Sequence, residues 1–266
     1  MASHQWEEGR RMTPGDKCGF AQELLIEARN ALQSTLADHQ DSARGALNQE
    51  LWTVVRMLGE VPEYFSQAGQ DHFVDRCLMG GRRDGVFVDV GGYDGITGSN
   101  TLFFELFRGW RGLLIEPVAE RLAQAGTLRR CRCVGCAVAG REGPREFLQV
   151  EGGYTQMSGL VDRYDADLLQ TLRDNPAHRE RLVTVEARPL AAVLQDAGLA
   201  RIDYLSLDVE GAEEEILEAF PFDRFEIAAW SIENPDGKPG IGRRMAAAGY
   251  TLVEYIGVDE IYARRD

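Results

Sequence analysis

Short apolar runs alternate with helical stretches from Gly85 onward, and this alternation restricts the fold more than any other feature of the chain. Several runs are apolar without interruption, which is typical of strands covered on both faces of a sheet. Strands separated by helices form a parallel sheet wrapped by crossover helices. The expected strands are 86–90, 113–115, 133–138, 202–207 and 227–232. The expected helices are 97–107, 119–128, 190–197, 213–219 and about 240–248.

Two further apolar runs near the C-terminus, 250–255 and 260–263, predict a hairpin. The linker between them, residues 256–259, is too short for the crossover that parallel strands need, so the two strands are expected to be antiparallel. The predicted fold class is therefore α/β, with a doubly wound and mostly parallel sheet that ends in an antiparallel hairpin. A simple dehydrogenase domain lacks that hairpin.

Residues 20–80 are predicted to be helical. Apolar residues between Phe20 and Leu36 recur at the intervals of an amphipathic helix. Further helices are expected at 47–58 and 71–79. We interpret 1–80 as an N-terminal helical cap and 81–266 as the main domain. The cap could be a lid over a site, a surface for homo-oligomer formation, or a layer that only packs against the sheet.

Composition excludes several classes of partner. The 266 residues, 44% of them hydrophobic, are enough for one large core. Acidic residues outnumber basic ones by 43 to 29, so the net charge of −14 repels nucleic acid and anionic membranes. The chain has no apolar run long enough to span a membrane, and residues 1–13 do not resemble a signal peptide. A cytoplasmic location is expected.

The five cysteines form an odd set without a secretory signal, which argues against a disulfide framework. Cys131, Cys133 and Cys136 lie close together, but no nearby Cys or His cluster supplies the fourth ligand of a structural zinc site. We interpret these three cysteines as small apolar residues on a buried strand that continues into Ala137.

The first predicted strand ends at Asp89 and continues into a turn that contains Gly91, Tyr93 and Asp94. Ligands of open α/β sheets bind beyond the carboxyl ends of the strands, and glycines let the backbone approach a ligand closely. A dinucleotide fingerprint needs a second glycine where Tyr93 stands. The Asp94 carboxylate would repel a pyrophosphate, whereas it suits the sulfonium and ammonium groups of S-adenosylmethionine. An ordinary glycine-rich surface turn is the alternative.

The second predicted strand ends at Glu116, directly before Pro117. A carboxylate at this position can accept hydrogen bonds from both hydroxyls of a ribose. Nicotinamide enzymes use the same device, so Glu116 indicates an adenosine ligand without choosing between cofactors. The alternative is an exposed glutamate at the end of a strand.

Acidic and amide side chains follow the two later strands of the predicted sheet: Asp208 and Glu210 after one, Glu233 and Asn234 after the next. Hard divalent cations such as Mg²⁺ select oxygen ligands of this kind. Asp208, Glu233 and Asn234 could bind a metal that lowers the pKa of an acceptor hydroxyl. In the other interpretation, Asp208 and Glu210 orient the acceptor, while Glu233 and Asn234 bind substrate or close a turn.

Taken together, these segments resemble the FkbM family of methyltransferases over about residues 66–234. Segments similar to that family's motifs are 66–71, 87–95, 99–101, 109–117 and 203–213. The terminal hairpin is likewise that of the class I, Rossmann-like methyltransferase fold. The resemblance implies transfer of a methyl group from S-adenosylmethionine, usually to a hydroxyl of a sugar or natural product.

The resemblance also implies roles for individual residues. Asp208, Glu210 and Glu233 would be catalytic. The cofactor-binding residues would be Gln70, Asp89, Gly91, Tyr93, Asp94, Asn100, Glu116, Pro117, Ser158 and Asp208. Related metal-dependent sugar O-methyltransferases tend to place a catalytic histidine where Gly211 stands here. The general base is therefore open among Glu210, Glu213 and the metal itself, with the lone histidines His72 and His178 as further alternatives.

Two other functions compete with methyl transfer. A nicotinamide-dependent oxidoreductase is disfavoured by Tyr93 and Asp94 in the turn and by the terminal hairpin. A non-catalytic module that binds a partner through its helical cap is disfavoured by the complete set of acids at the strand ends.

Overall fold

The computed structural model describes residues 12–164 and 166–264; the first eleven residues of the expected cap lie outside this part. The helices are α1 (Pro14–Asp38), α2 (Ala43–Met57), α3 (Gln70–Phe73), α4 (Leu102–Arg108), α5 (Ala119–Leu128), α6 (Ala166–Arg173), α7 (Leu190–Asp196), α8 (Glu213–Ala219) and α9 (Pro239–Ala247). The strands are β1 (Val86–Val90), β2 (Arg111–Ile115), β3 (Arg132–Val134), β4 (Ala137–Val138), β5 (Gly143–Gly152), β6 (Gly159–Leu160), β7 (Arg179–Arg188), β8 (Arg201–Leu207), β9 (Glu226–Glu233), β10 (Tyr250–Ile256) and β11 (Asp259–Arg264). A π-helical turn (Val74–Leu78) extends α3, and a 3₁₀ turn (Val161–Arg163) follows β6.

The main sheet has the strand order β10-β11-β9-β8-β1-β2-β3. All neighbours are parallel except β11, which runs antiparallel to both β9 and β10. The chain builds outward from β1 in one direction and resumes at β8 on its other side, which makes the β1–β8 boundary the topological switch point. The predicted α/β fold with a mostly parallel sheet and a terminal antiparallel hairpin is confirmed.

Successive residues of the central strands point alternately into two hydrophobic cores, one on each face of the sheet, because side chains alternate along a strand. Val88 on β1 faces a core that includes Leu194 of α7 and Met245 of α9. Phe87 faces the opposite core, with Trp52 of α2 and Phe104 of α4. Both faces of the sheet are therefore covered, and this explains the uninterrupted apolar runs of the sequence. Burial of each such side chain contributes about 1.5–3 kcal/mol to folding.

The N-terminal helices are anchored to the terminal hairpin. The Arg44 guanidinium donates two hydrogen bonds to the Glu254 carboxylate, with an Nε–Oε1 distance of 2.6 Å. The Gly257 amide donates to the Gly45 carbonyl at 3.0 Å, and a Cβ on Gly45 would lie only 2.2 Å from the Gly257 carbonyl oxygen. Helix α2 therefore packs directly on the edge strand β10. The boundary at residue 80 and the oligomer surface stay predictions.

A second sheet, of order β4-β7-β5-β6, was not expected from the sequence. The prediction of one strand over 133–138 is wrong, because β3 joins the main sheet beside β2 while β4 pairs with β7 of the second sheet. The cysteines consequently do not share one buried strand: Cys136 is buried, whereas Cys131 and Cys133 are half-buried. All three thiols are free.

Residues 97–101 form a loop in place of the first half of the predicted helix 97–107, and α4 begins only at Leu102. The hydroxyl of Thr101 donates to the Asp89 carboxylate at 2.6 Å and fixes the end of this loop against β1. Of the helices in the described part of the chain, none combines the length and the apolar character that crossing a bilayer requires.

Candidate functional site

Acidic residues lie at one edge of the main sheet, where five neighbouring strands end or begin. Asp259 at the start of β11 is paired with Glu233 at the end of β9. Leu207 pairs with Ile232, which places Asp208 beside Glu233 in the next step of the ladder. Asp89 on β1 and Glu116 after β2 continue the row in the other direction. The fold thus brings together strand-end carboxylates that are up to 170 positions apart, as 259 and 89 are in the numbering.

A cavity of about 650 Å³ lies over this edge. Its size falls in the range of about 300–1,000 Å³ that is typical of small-molecule sites. Nine of the ten residues predicted to bind a cofactor line it: Gln70, Asp89, Gly91, Tyr93, Asn100, Glu116, Pro117, Ser158 and Asp208. The predicted catalytic residues Glu210 and Glu233 also line it. Walls come from the β5–β6 loop, from Gln49 of α2 and from the 257–259 turn.

The glycines of the turn after β1 are required by packing between strand ends. Gly91 has φ +82°, and a Cβ on it would lie 1.7 Å from the Asp208 carbonyl oxygen. A Cβ on Gly92 would lie 2.4 Å from Cγ of Leu114. The sequence suggested that these glycines let the backbone approach a ligand closely. The structure gives a further reason, since the neighbouring strands leave no room for a side chain at either position.

Tyr93 connects the turn to the second sheet. Its backbone adopts φ +48°, a left-handed conformation that costs a non-glycine residue about 1–2 kcal/mol. Its amide donates to Glu116 Oε2 at 3.0 Å, and its hydroxyl bonds to that of Thr155 in the β5–β6 loop at 2.7 Å. The Arg121 guanidinium lies 4.4 Å from the ring centroid. These contacts hold the ring in the cavity wall.

Asp94, predicted to face a cationic group of the cofactor, is not among the residues that line the cavity. Its carboxylate accepts hydrogen bonds from the amides of Ile96 and Thr97 at 2.9 and 2.7 Å and from the Thr97 hydroxyl. Partial burial raises the pKa of Asp94, but these bonds outweigh it and leave the pKa below its usual value. Asp94 is a residue that closes the turn.

Glu116 is buried at the end of β2, which excludes the alternative of an exposed terminal glutamate. Its two oxygens accept hydrogen bonds from the amides of Val118 (2.8 Å) and Tyr93 (3.0 Å). Each oxygen keeps a second lone pair for a ligand. Burial raises the pKa of Glu116 to about 7. The carboxylate is thus oriented, buried and able to accept two further hydrogen bonds.

Asn100 offers an acceptor without a partner. Its Nδ2 donates to the Ser206 hydroxyl at 2.9 Å, while its buried Oδ1 has no hydrogen-bond partner within the described residues. A buried polar atom left unpaired costs about 1–3 kcal/mol. Because Asn100 lines the cavity, this atom indicates a ligand that carries an N–H or O–H donor.

Asp208, Glu210 and Glu233 form an acidic cluster in which one carboxylate oxygen from each lies within 4.8 Å of the others. Burial, followed by the charges of Asp259 and Glu213, raises the pKa of Asp208 to about 8. Burial and the neighbouring acids also raise the pKa of Glu233 well above its usual value. Carboxylates this close cannot all be ionised at once in the absence of a cation. They either share protons or bind a cation.

Glu210 reaches the cluster through an unusual backbone conformation. Its φ is +59°, and it stands between two backbone amides that Glu213 holds. The buried Glu213 carboxylate accepts hydrogen bonds from Val209 N at 2.9 Å and from Gly211 N at 3.0 Å. Glu213 is therefore occupied by the loop, and its position explains how a non-glycine residue keeps a left-handed conformation here.

Asn234 is not brought into the predicted metal set. Its Oδ1 accepts from the Lys238 amide at 2.7 Å, its Nδ2 donates to Glu260 at 2.9 Å, and it does not line the cavity. Glu210 takes its place beside Asp208 and Glu233.

Asp259 belongs to the site but was missed from the sequence. It is buried, lines the cavity and accepts a hydrogen bond from Gln70 Nε2 at 3.1 Å. Burial raises its pKa to about 7. The antiparallel hairpin was a usable signal, since its turn must lie at the same edge as the carboxyl end of β9.

Neither histidine alternative lies in the cavity wall. His72 packs against the rings of Trp52 and Tyr64, with centroid distances of 5.6 and 4.9 Å. His178 bonds to Glu180 on the second sheet at 2.8 Å. Ser158 does line the cavity, and its hydroxyl accepts from the Val150 amide at 3.0 Å, which fixes the β5–β6 loop.

Comparison with known proteins gives one family match: the model of the methyltransferase FkbM domain matches residues 89–245. A search of curated protein sequences found no match. The chain is similar to a solved FkbM methyltransferase from Methylobacillus flagellatus, with 14% identity and a TM-score of 0.46 over 90% of this chain and 58% of the other. It thus spans little more than half the length of that protein.

Two other solved structures are similar at a lower level. A TehB-like SAM-dependent methyltransferase from Corynebacterium glutamicum has 10% identity and a TM-score of 0.40, over 80% of this chain and 96% of the other. A precorrin-6y C5,15-methyltransferase from Geobacter metallireducens has 13% identity and a TM-score of 0.34, over 70% and 82%.

Proposed function

The chain belongs to the methyltransferase FkbM domain family, and on that premise we propose that it is an S-adenosylmethionine-dependent O-methyltransferase. The acceptor would be a hydroxyl group of a small molecule such as a sugar or natural product. One observation carries the proposal: a single cavity joins the oriented Glu116 carboxylate to the acidic cluster of Asp208, Glu210 and Glu233. A donor held over β1 and β2 would face an acceptor held over β8 and β9.

The donor side of the cavity fits S-adenosylmethionine. Glu116 would accept hydrogen bonds from the two ribose hydroxyls through its remaining lone pairs. Asn100 Oδ1, which has no hydrogen-bond partner among the described residues, would accept a hydrogen bond from the methyl donor or from the methyl acceptor. Tyr93 and Pro117 would supply apolar wall on either side of Glu116. When bound, S-adenosylmethionine supplies a methyl group activated by the sulfonium charge.

The acidic cluster fits a divalent cation such as Mg²⁺. Oxygen ligands of an octahedral Mg²⁺ site lie about 3 to 4 Å apart, because each is about 2.1 Å from the metal. The separation limit of 4.8 Å among the carboxylate oxygens of Asp208, Glu210 and Glu233 is compatible with that geometry after small side-chain movements. A divalent cation there would supply Lewis acidity toward an acceptor hydroxyl.

The residues of the chain would act mainly by positioning. Methyl transfer is an in-line displacement, so the acceptor oxygen must be held on the sulfonium axis. The acidic cluster would hold the acceptor hydroxyl and receive its proton, because its carboxylates are the basic groups of this half of the cavity. The loop held by Glu213 keeps Glu210 within reach of the same oxygen.

Titration calorimetry with S-adenosylmethionine and its demethylated product, S-adenosylhomocysteine, tests the proposal. Both are expected to bind one per chain, and Glu116→Gln is expected to weaken both because a neutral amide is a poorer partner for ribose hydroxyls. Glu218→Gln, an exposed acid on α8 outside the cavity, is the control and should not change binding. Binding of NAD without binding of S-adenosylmethionine would favour an oxidoreductase instead.

Metal dependence has its own test. Chelation should abolish turnover, and added Mg²⁺ should restore it. Full activity in the chelator would remove the metal from the proposal and leave methyl transfer in place.

A further inference from the structure

The charges around the cavity are unequally compensated. Eight of its lining residues are acidic, and one, Arg121, is basic. Three of the other lining acids have arginine partners: Arg129 lies 3.7 Å from Asp89, and Arg181 lies 2.9 Å from Glu151 and 3.7 Å from Glu120. The guanidinium of Arg121 rests on the Tyr93 ring and offsets part of the rise in the pKa of Glu116 that burial causes. Positive charge is thus confined to the donor half.

Four acids remain on the acceptor half: Asp208, Glu210, Glu233 and Asp259. Within the described ranges 12–164 and 166–264, none of the four forms an ion pair with a basic residue. With all four ionised around a bound divalent cation, that cation and the sulfonium of the donor would together compensate three of the four negative charges. The acceptor half would then keep the equivalent of one carboxylate without a counter-charge.

The one buried polar atom of the cavity wall without a partner among the described residues is a hydrogen-bond acceptor. Asn100 Oδ1 is buried without a partner, and Asn100 is 9% exposed and bonded to Ser206, two positions before Asp208 on β8. The Gln70 amide is already used, because its Oε1 accepts from Ala68 N and its Nε2 donates to Asp259. A ligand that satisfies this surface must therefore bring donors, and an ammonium group brings three donors and a positive charge.

We propose that the acceptor is an amine-bearing polyol, such as an amino alcohol or amino sugar, and that the acceptor half of the cavity rejects phosphorylated or carboxylated molecules. This inference rests on the proposed function and names its substrate class. The ammonium group would balance the fourth acid of the row, Asp259, while a neighbouring hydroxyl of the same molecule lies at the cluster of Asp208, Glu210 and Glu233. A phosphate would add negative charge beside the acid that the cation and the sulfonium leave uncompensated.

Thermal unfolding of the full chain, loaded with S-adenosylhomocysteine and Mg²⁺, tests the inference with three probes at constant ionic strength. The probes are 1,3-diamino-2-propanol, glycerol as its uncharged counterpart, and inorganic phosphate. The diamine should raise the unfolding midpoint with an apparent affinity about tenfold or more above that of glycerol, because hydrogen bonds to charged groups are stronger than neutral ones. Phosphate should not raise it.

Two variants locate the effect. Asp259→Asn keeps an acceptor for Gln70 but removes the charge, so it should reduce the preference for the diamine over glycerol by about tenfold. Glu218→Gln on the surface of α8 should leave that preference unchanged. Equal affinity for diamine and glycerol, stabilisation by phosphate, or a preference that survives Asp259→Asn would each overturn the inference. Failure of S-adenosylhomocysteine to bind at all would instead contradict the proposed function.

Discussion

Replacing Glu210 by glycine should make the protein more stable and inactive. Glu210 holds φ +59° and carries a carboxylate into a cluster of acids, so it is unfavourable for folding in two independent ways. Such conformations persist where the surroundings impose them, and they concentrate at functional sites. Glu210→Gly removes both the backbone strain and the repulsion, and it also removes a proposed ligand of the acceptor site.

The backbone contribution follows from conformational energies. A left-handed conformation costs a residue with a Cβ about 1–2 kcal/mol, and glycine loses about 0.5–1 kcal/mol through its greater freedom in the unfolded chain. The net gain is then about 0.5–1 kcal/mol from the backbone alone. Removal of a half-buried carboxylate beside Asp208 acts in the same direction, because burial and the charge of Asp208 both disfavour its ionised form. For a chain of this size, about 1 kcal/mol corresponds to roughly 2–4 °C in the unfolding midpoint.

Calorimetric unfolding in chelator, without cofactor, measures this difference. Glu210→Ala is the matched comparison, since it removes the carboxylate but keeps a Cβ at positive φ; the glycine variant should unfold at a higher temperature than the alanine variant. Asp84→Gly is a control at φ +58° on the exposed surface outside the cavity, and it should stabilise without loss of activity. A glycine variant less stable than the alanine variant would refute the argument from strain.

Three further perturbations have defined outcomes. Gly91→Ala should cost about 2–5 kcal/mol and abolish cofactor binding, because its Cβ would lie 1.7 Å from the Asp208 carbonyl oxygen and the alanine would also adopt a left-handed conformation. Gly59→Ala, with φ +74° and free space around it, should cost only about 0.5–1 kcal/mol, measured by denaturant unfolding. Glu213→Gln should weaken Mn²⁺ binding, measured by paramagnetic resonance, and leave the affinity for S-adenosylmethionine unchanged. The reason is that one backbone amide of the loop around Glu210 loses its hydrogen-bond acceptor. Equal losses of both affinities would instead indicate general unfolding. Stability of the chain in chelator should fall as pH rises from about 5 to 8. The folded-state pKa values of Glu116 and Asp259 (about 7) and of Asp208 (about 8) exceed the usual values near 4, so the folded state binds more protons than the unfolded state in this window and loses that advantage as these groups ionise. A rise of the unfolding midpoint over the same pH range would contradict the pKa assignments.

The central strands of the main sheet were predictable because they are buried on both faces and therefore appear as continuous apolar runs. The second sheet was not, because β7 carries alternating charged residues such as Arg179 and Glu186 and is largely exposed. The break between β3 and β4 lies at Gly135, inside a run whose composition gives no sign that its two halves join different sheets.

At the site, the sequence predicted which strand ends would meet but not which side chains would turn inward. Asp94 and Asn234 have the expected composition and position, yet each is used by hydrogen bonds to backbone a few residues away. Glu210 replaces Asn234 in the cluster only because its backbone adopts a conformation that sequence patterns assign to glycine. Local hydrogen bonding therefore decides which side chains enter the acidic cluster, and that bonding depends on loop geometry.

A crystal structure of the chain with S-adenosylhomocysteine tests the central claim most directly. The ribose hydroxyls should lie within hydrogen-bond distance of Glu116, and the sulfur should face Asp208, Glu210 and Glu233 across the same cavity. Density for the ligand outside this cavity, or with its sulfur directed away from the acidic cluster, would contradict the assignment of donor and acceptor sides.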